Sequence, residues 1–272
     1  MTKGWNAEAV AEADDRETAF SPGVARVETP DYLLMLVPGS YALTYVRRFQ
    51  CDAEHAESTI EEILRHVRTA GGTGLRWVIN SRTRPGDLVH RLLRRGFRQI
   101  ASAETLYFVL GSAAATDLPR LRVAGSISTR EAHTDEEVDL FVRLGVAIFG
   151  DPPPPSEYLE NLRSQVRRSV EATGHSELFL VFDDGIPVGR GGLTVTGPVG
   201  RLWTSGVLSE HRGRGAYQAL THERCRVALE RGAEIALTHA RIDTSGAILK
   251  RHGFQSAGPY DYYEVRWGAE GR

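Results

Sequence analysis

Between Trp203 and Leu220 the chain reads W-T-S-G-V-L-S-E-H-R-G-R-G-A-Y-Q-A-L, and here its residue types come closest to a chemical function. Apolar residues up to Val207 and Leu208 predict a strand, and the pattern from Gly213 to Arg231 predicts a helix. Two glycines at the mouth of a helix leave backbone N–H groups bare, and the aligned peptide dipoles make that end attractive to anions. Gly213 and Gly215 have no side chain, so an anion can approach the main chain closely. Arg212 and Arg214 add positive charge at the same end. The simplest ligand is a phosphate or pyrophosphate. The motif lacks the third glycine and the acidic residue of the dinucleotide fingerprint, and no Gly-Lys-Ser/Thr follows as in a P-loop.

The elements that must position this turn can be read on both sides of it. Residues 1–27 are polar and acidic and predict a mobile leader, with Trp5 as a packing residue. Tyr32–Val37 and Tyr41–Phe49 predict a hairpin around Pro38-Gly39. Ile60, Ile63, Leu64 and Val67 mark one face of a helix over 54–69. A strand at 75–79, a helix at 87–95 stopped by Gly96, and a strand at 105–110 follow. Gly111–Pro119 is small and polar and predicts a linker, which gives units at 28–112 and 126–272 joined by 113–125.

The second unit opens with a strand at 126–131. Thr134 and Glu137 predict a capping box on a helix to Ile148, and Ser156 a cap on a helix to Ala172. Pro152–Pro155 force an extended break between them. Strands at 178–182, 187–196 and 200–208 include a turn at Asp184-Gly185. The glycine-turn helix, a strand at 235–241, a helix at 245–252 and a strand at 260–267 complete it. The order β-α-α-β-β-β-α-β-α-β predicts a mixed α/β sheet with one crossover at the glycine turn.

Composition narrows the class. At 272 residues, two domains is the length-based expectation. Hydrophobic content of 41% and charged content of 25% are those of a soluble globular chain. A net charge of -2 predicts no bulk nucleic-acid partner. Cys51 and Cys225 are the only cysteines, too few for a disulfide framework and without the spacing of a metal site, so a reduced, cytoplasmic setting fits. No signal peptide and no membrane-length apolar run is found.

Two patches in this order of elements resemble the GCN5-related N-acetyltransferase (GNAT) family. The first is that family's Gln/Arg-x-x-Gly-x-Gly/Ala signature, where Arg212 and Gly215 match and Tyr217 departs. The second is Ile248-Leu249-Lys250-Arg251-His252-Gly253-Phe254, similar to the family's Leu-Tyr-x-Lys-x-Gly-Phe, with Leu249 at the tyrosine position. Together they cover about residues 126–267. Leu92-Leu93-Arg94-Arg95-Gly96-Phe97 echoes the second patch, and Tyr107 and Tyr263 follow at similar distances. The echo predicts two tandem GNAT-like domains, each with its own mixed, mostly antiparallel sheet, the first having lost the phosphate cradle.

The resemblance implies an N-acyltransferase with acetyl-CoA as acyl donor and a small-molecule amine as acceptor, working by direct attack as a monomer or homodimer. It implies that Val207 and Leu208 pair with the pantetheine arm, that Arg212, Gly213, Arg214, Gly215, Ala216 and Tyr217 hold the pyrophosphate, and that Ser245 replaces part of an asparagine's role. No metal is expected. In many members the tyrosine that Leu249 replaces protonates the departing thiolate, so another group or solvent must do so here. Candidate bases are His239, Asp243 and His211, with Asp243 also readable as a helix cap and His239 as a satisfied strand side chain. Tyr260, Tyr262 and Tyr263 are candidates to line an acceptor pocket. A non-catalytic CoA-binding regulator, or an acyl donor such as aminoacyl-tRNA, are the alternatives.

Overall fold

Most predicted elements form, but one sheet takes the place of the expected two. The computed structural model describes residues 4–16, 24–37, 40, 43–111 and 125–267; the Pro38-Gly39 turn and nearly all of the linker lie outside these. The elements are α1 (Ala7–Asp15), β1 (Ala25–Glu28), β2 (Tyr32–Leu36), β3 (Tyr45–Phe49), α2 (Ala56–Thr69), β4 (Gly74–Asn80), α3 (Leu88–Arg94), β5 (Arg98–Val109), β6 (Ile127–Glu131), α4 (Asp135–Phe149), α5 (Ser156–Thr173), β7 (Leu178–Asp183), β8 (Ile186–Thr196), β9 (Val199–Val207), α6 (Ala216–Glu230), β10 (Ile235–Arg241), α7 (Ala247–Arg251) and β11 (Gln255–Arg266). The strands form a single eleven-stranded sheet in the order β1-β2-β3-β4-β11-β5-β10-β9-β8-β7-β6.

The two halves exchange their last strands. β11 of the second half lies between β4 and β5 of the first, and β5 lies between β10 and β11. The β5–β11 pairing runs antiparallel from Gln255↔Tyr107 to Glu264↔Arg98. It explains why both strands begin well before the predicted 105 and 260. Residues 255–259 are small, polar or proline, and 98–104 have Ile100 as their one large apolar side chain, so without apolar alternation only a distant partner makes them strands.

An internal repeat is visible in this arrangement. β3 and β4 are parallel with α2 between them, as β9 and β10 are with α6. The two helix stops close alike. Gly96 (φ 81) and Gly253 (φ 88) are left-handed, and the following Phe97 and Phe254 donate to Leu92 O and Leu249 O at 3.2 and 3.1 Å. Each phenylalanine then anchors a core. Phe97 meets Trp77 edge-on at 5.8 Å, and Phe254 meets Phe108 at 5.4 Å. Such aromatic pairs add about 0.5–1.5 kcal/mol beyond area burial.

Local signals hold in the second half. The Thr134–Glu137 capping box forms on α4, and Asp184-Gly185 turn with φ of 51° and 78°. Proline 155, not Ser156, stands at the N-cap of α5, and Ser156 opens the helix. The expected mobile leader contains α1, capped by Asn6 Oδ1 accepting from Ala9 N–H at 2.9 Å. α1 packs Val10 into the sheet, and Trp5 donates to Glu234 at 2.8 Å. α6 and α7 cover one face of the second half, and α4 and α5 the other. Among the described residues no helix is long and apolar enough to cross a membrane.

Because the halves share one sheet, they should unfold as one unit. Phe97→Ala should cost about 3–5 kcal/mol. Calorimetry of this variant should show one transition moved down for the whole chain, with the first half's Trp77 and the second half's Trp203 reporting it together.

Candidate active site

The β9–β10 pair opens where the glycine turn begins. Their parallel pairing ends at Leu202↔Thr238. Beyond it β9 follows β8 to Val207, while β10 stays on β5 through His239↔Thr105 and Arg241↔Ala103. The strands therefore diverge, leaving backbone edges facing a gap. In the first half the matching gap is closed. Arg84 N–H donates to Phe49 O at 3.0 Å and Gln50 bridges Arg84, so the loop after β4 continues the pairing.

One wall of the gap carries a bulge. Register shifts between Arg190 and Gly192 of β8, opposite Gly206 and Trp203 of β9, and Thr204 takes a left-handed φ of 42°. A non-glycine residue in that region stores about 1–3 kcal/mol, and bulges re-aim the chain beside sites. Past the bulge, Leu208 N–H donates to Val188 O at 2.9 Å, and Leu208 O accepts from His211 N–H at 3.0 Å. By strand alternation the Val207 backbone faces the gap instead. Arg212 Nε reaches Val207 O at 3.2 Å, which leaves the Val207 N–H as the open donor. The expected contact of Leu208 is thus corrected: its backbone is spent inside the protein.

The cradle itself starts later than the pattern suggests. Ser209–His211 form a short 3-10 turn, and α6 begins at Ala216 with Gly215 as its cap and no side chain capping it. Gly213 and Gly215 sit at φ of 79° and 93°, which glycine alone adopts cheaply. The first amide to reach a helix carbonyl is Ala219, on Gly215 O at 2.9 Å. The amides before it point out of the helix mouth. Arg214 does not stand free there. It pairs with Asp183 of β7 at 2.9 Å and is 49% exposed. Ser126 Oγ at 2.8 Å and His211 Nδ1 at 3.3 Å bind the same carboxylate. Ser126, with His211 and Arg214, holds Asp183 below the usual carboxylate range. His211 is therefore part of a strut between the turn and β7.

Tyr217 and Ser245 lie within side-chain reach of each other. Burial raises the Tyr217 phenol, with the Arg224 guanidinium and the Ser245 hydroxyl acting the other way. Arg224 is 1% exposed and lies under the bulge, donating to Ser205 Oγ at 2.7 Å and Gly192 O at 3.0 Å. Leu249 is 1% exposed and packs in the α6 core, so no acid stands at that position.

The two candidate bases separate. Asp243 lies on an exposed turn, 65% exposed, against Arg241 at 3.4 Å. It does not cap α7, which has no side-chain cap. His239 is the first residue of β10 beyond the fork. Its Nε2 meets Asp14 Oδ2 at 2.7 Å, and its ring stacks on Tyr260 at 3.6 Å. Asp14 also accepts from Arg47 and Arg201, both at 2.8 Å, and Arg47 donates to Tyr260 Oη at 2.9 Å. Burial would raise Asp14, but the His239 contact and the two arginines outweigh it and hold the carboxyl well below its usual range. Burial lowers His239, against the pull of Asp14. Nε2 faces the ionised carboxylate and so carries a proton, which leaves Nδ1 as the nitrogen that can take or give one. Asp14 is the partner that sequence reasoning missed. Tyr260 and Tyr262 adjoin this cluster, whereas Tyr263 packs into the first half's core.

The fold, a mixed α/β sheet split at a parallel pair, is that of solved GNAT structures. A GCN5-related N-acetyltransferase from Kribbella flavida superposes with a TM-score of 0.63 at 16% identity, over 97% of this chain and 95% of that one. One from Sphaerobacter thermophilus gives 0.62 at 15% identity, over 86% and 76%. A tandem GNAT protein from the clavulanic acid biosynthesis pathway gives 0.58 at 14% identity, over 97% and 89%. No curated protein matches the chain. The family model described as Acetyltransferase (GNAT) family matches residues 139–254, and that segment is a GNAT domain. The chemistry of that family is acyl transfer.

Two outcomes follow from the geometry. Gly215→Ala must hold a Cβ in the left-handed region, so chemical denaturation should show a loss of about 1–2 kcal/mol. For pH, His239 binds its proton more weakly folded than unfolded. Its contribution is complete above the unfolded imidazole value of about 6.5 and is lost as pH falls below it. The melting temperature should decline below pH ~6.5, and His239→Gln, which keeps a donor for Asp14, should flatten that limb.

Proposed function

We propose that this protein is an N-acyltransferase that moves an acetyl or other acyl group from acyl-CoA to a primary amine on a small molecule. The observation that carries this is the uncapped glycine helix mouth lying beside the one split in the sheet. The split exposes strand edge for an amide-rich arm, and the helix mouth offers unpaired N–H groups for a diphosphate. Both are needed for a ligand built as a diphosphate joined to a pantetheine chain.

In this reading the amides of Gly213, Arg214, Gly215, Ala216 and Tyr217 hold the diphosphate. Arg212 keeps the Val207 carbonyl occupied, so the Val207 N–H alone faces the acyl arm and can polarise the thioester oxygen. Ser245 and Tyr217 close the side nearest α7. Holding amine and thioester in line can remove roughly 7–11 kcal/mol of barrier. An alkylammonium, with a pKa of about 10.4, must lose a proton before it attacks. His239 Nδ1, oriented through Nε2 by Asp14, is the base we assign, and Asp243 is set aside because its carboxylate lies on Arg241. The amine nitrogen forms the new C–N bond, the C–S bond breaks, and the thiolate takes a proton. Solvent supplies that proton, since the buried Leu249 cannot. The buried free thiols of Cys51 and Cys225 accord with a reduced cytoplasmic setting.

The buried Leu249 favours one second reading, a CoA-binding regulator without turnover. Calorimetric titration with CoA, followed by thiol release from acetyl-CoA over an amine panel, separates the two. CoA at 100 times its dissociation constant should add about 2.7 kcal/mol of stability. Binding without release on any amine would favour the regulator, and no binding would overturn both. His239→Gln should lose about 10²–10⁴-fold in kcat/KM with CoA affinity retained.

A further inference from the structure

One half-buried cation beside the gap, Arg190, has no carboxylate paired with it among the described residues. Arg190 lies on β8 directly opposite Gly206 of β9, next to Val207. Its guanidinium lies over the Phe141 ring at 4.2 Å and near Phe149 at 5.4 Å. Nη1 donates to Phe141 O at 3.0 Å. Its Nε is buried without a partner. Among the described residues no carboxylate pairs with it. Asp151, which acts on it from the segment between α4 and α5, is bound to Arg76 at 2.7 Å. Burial pushes Arg190 down to about 10, with only Tyr158 and Asp151 opposing.

The surrounding chain is shaped to admit this group. A Cβ at Gly145, inside α4, would fall 2.3 Å from Arg190 Cζ. Glycine in a helix interior is unfavourable, so α4 gives up stability to let the guanidinium lie against its backbone. Gly206 is cut back in the same way, since a Cβ there would meet Ile148 at 2.5 Å and Phe149 at 3.1 Å. The end of α4 therefore sits on the open end of β9, with Arg190 beneath it. Arg224, on the other face, is fully buried but donates to three oxygen acceptors. Arg190 has one acceptor, and ring faces replace only part of its lost hydration.

We propose that the acceptor is an amine that also carries a carboxylate, and that Arg190 binds this carboxylate beside the end of α4. The planar guanidinium matches a carboxylate in two-point geometry. The Arg190 backbone pairs with Gly206, one β9 residue before Val207, so a carboxylate held by this side chain brings the amine of an amino acid toward the gap. The proposal rests on the acyl-transfer reading for the amine and on Arg190 alone for the anion.

Two readouts test it. Wild-type protein with acetyl-CoA is offered amino acids, the matching amino acid amides, simple alkylamines and aminoalkyl phosphates. Carboxylates should be preferred over amides and alkylamines by about 10- to 100-fold in kcat/KM. Arg190→Met should erase the preference through KM, and Arg190→Lys should restore part of it. The second readout needs no turnover: N-acetyl amino acids, but not their amides, should raise the melting temperature of wild type and not of Arg190→Met. Equal use of amides and acids, or a preference for phosphates, would overturn the proposal. Should Arg190→Met fail to fold, the wild-type panel and melting shifts still decide. If no amine is acetylated but N-acetyl amino acids bind through Arg190, the transfer reading fails and the anion site stands.

Discussion

The pairing of β5 with β11 is the constraint on which the rest of the structure depends. Neither half closes its own sheet, since each lends its last strand to the other. β10 is one wall of the gap, and β5 from the first half holds it from Ile235 to Arg241. β9 is the other wall, held by β8. The two strands diverge because different partners pull on them past Leu202 and Thr238. The first half has lost its own opening to the Arg84 loop, yet it supplies the frame that keeps the second half's opening apart. Divergence held by full ladders on both outer sides costs little, because every lost bond is confined to the gap.

Charge organises the region around that gap. Asp14 and Asp15 end α1 at the negative pole of the helix, an unfavourable place for carboxylates. They persist because arginines from elsewhere meet them: Arg47 and Arg201 for Asp14, Arg82 at 2.5 Å for Asp15. The same contacts fix the orientation of the His239 imidazole. On the turn, Asp183 ties down Arg214 and His211, so the cradle is set before any ligand arrives. The arginine-rich composition thus works as a set of individual struts, and Arg190 is notable for lacking a carboxylate.

Much of this was legible from short-range pattern. The capping box of α4, the Asp184-Gly185 turn, the glycine mouth of α6 and the paired Gly-Phe stops all depend on residues within a few positions of each other. The internal echo between Leu92–Phe97 and Ile248–Phe254 was readable because both copies need the same left-handed glycine and the same aromatic anchor. The leader was misread for the converse reason. Its acidic helix end looks unstable alone, and the stabilising arginines lie up to Arg201 in sequence. Sequence alone does not separate Val207 from Leu208, because strand alternation past the bulge at Thr204 decides which of the two backbones faces the gap.

By itself the sequence determined the order of elements from β2 onward, the glycine turn and the absence of a tyrosine at Leu249. Each follows from local sterics, periodicity or a side chain's inventory of protons. Only the tertiary structure decided that there is one sheet, that Asp14 orients His239 while Asp243 stands apart, and that half-buried Arg190 pairs with no carboxylate among the described residues. Those facts depend on which distant groups share a low-dielectric space, and in that space the energy of a charge is set by its neighbours and not by its place in the chain.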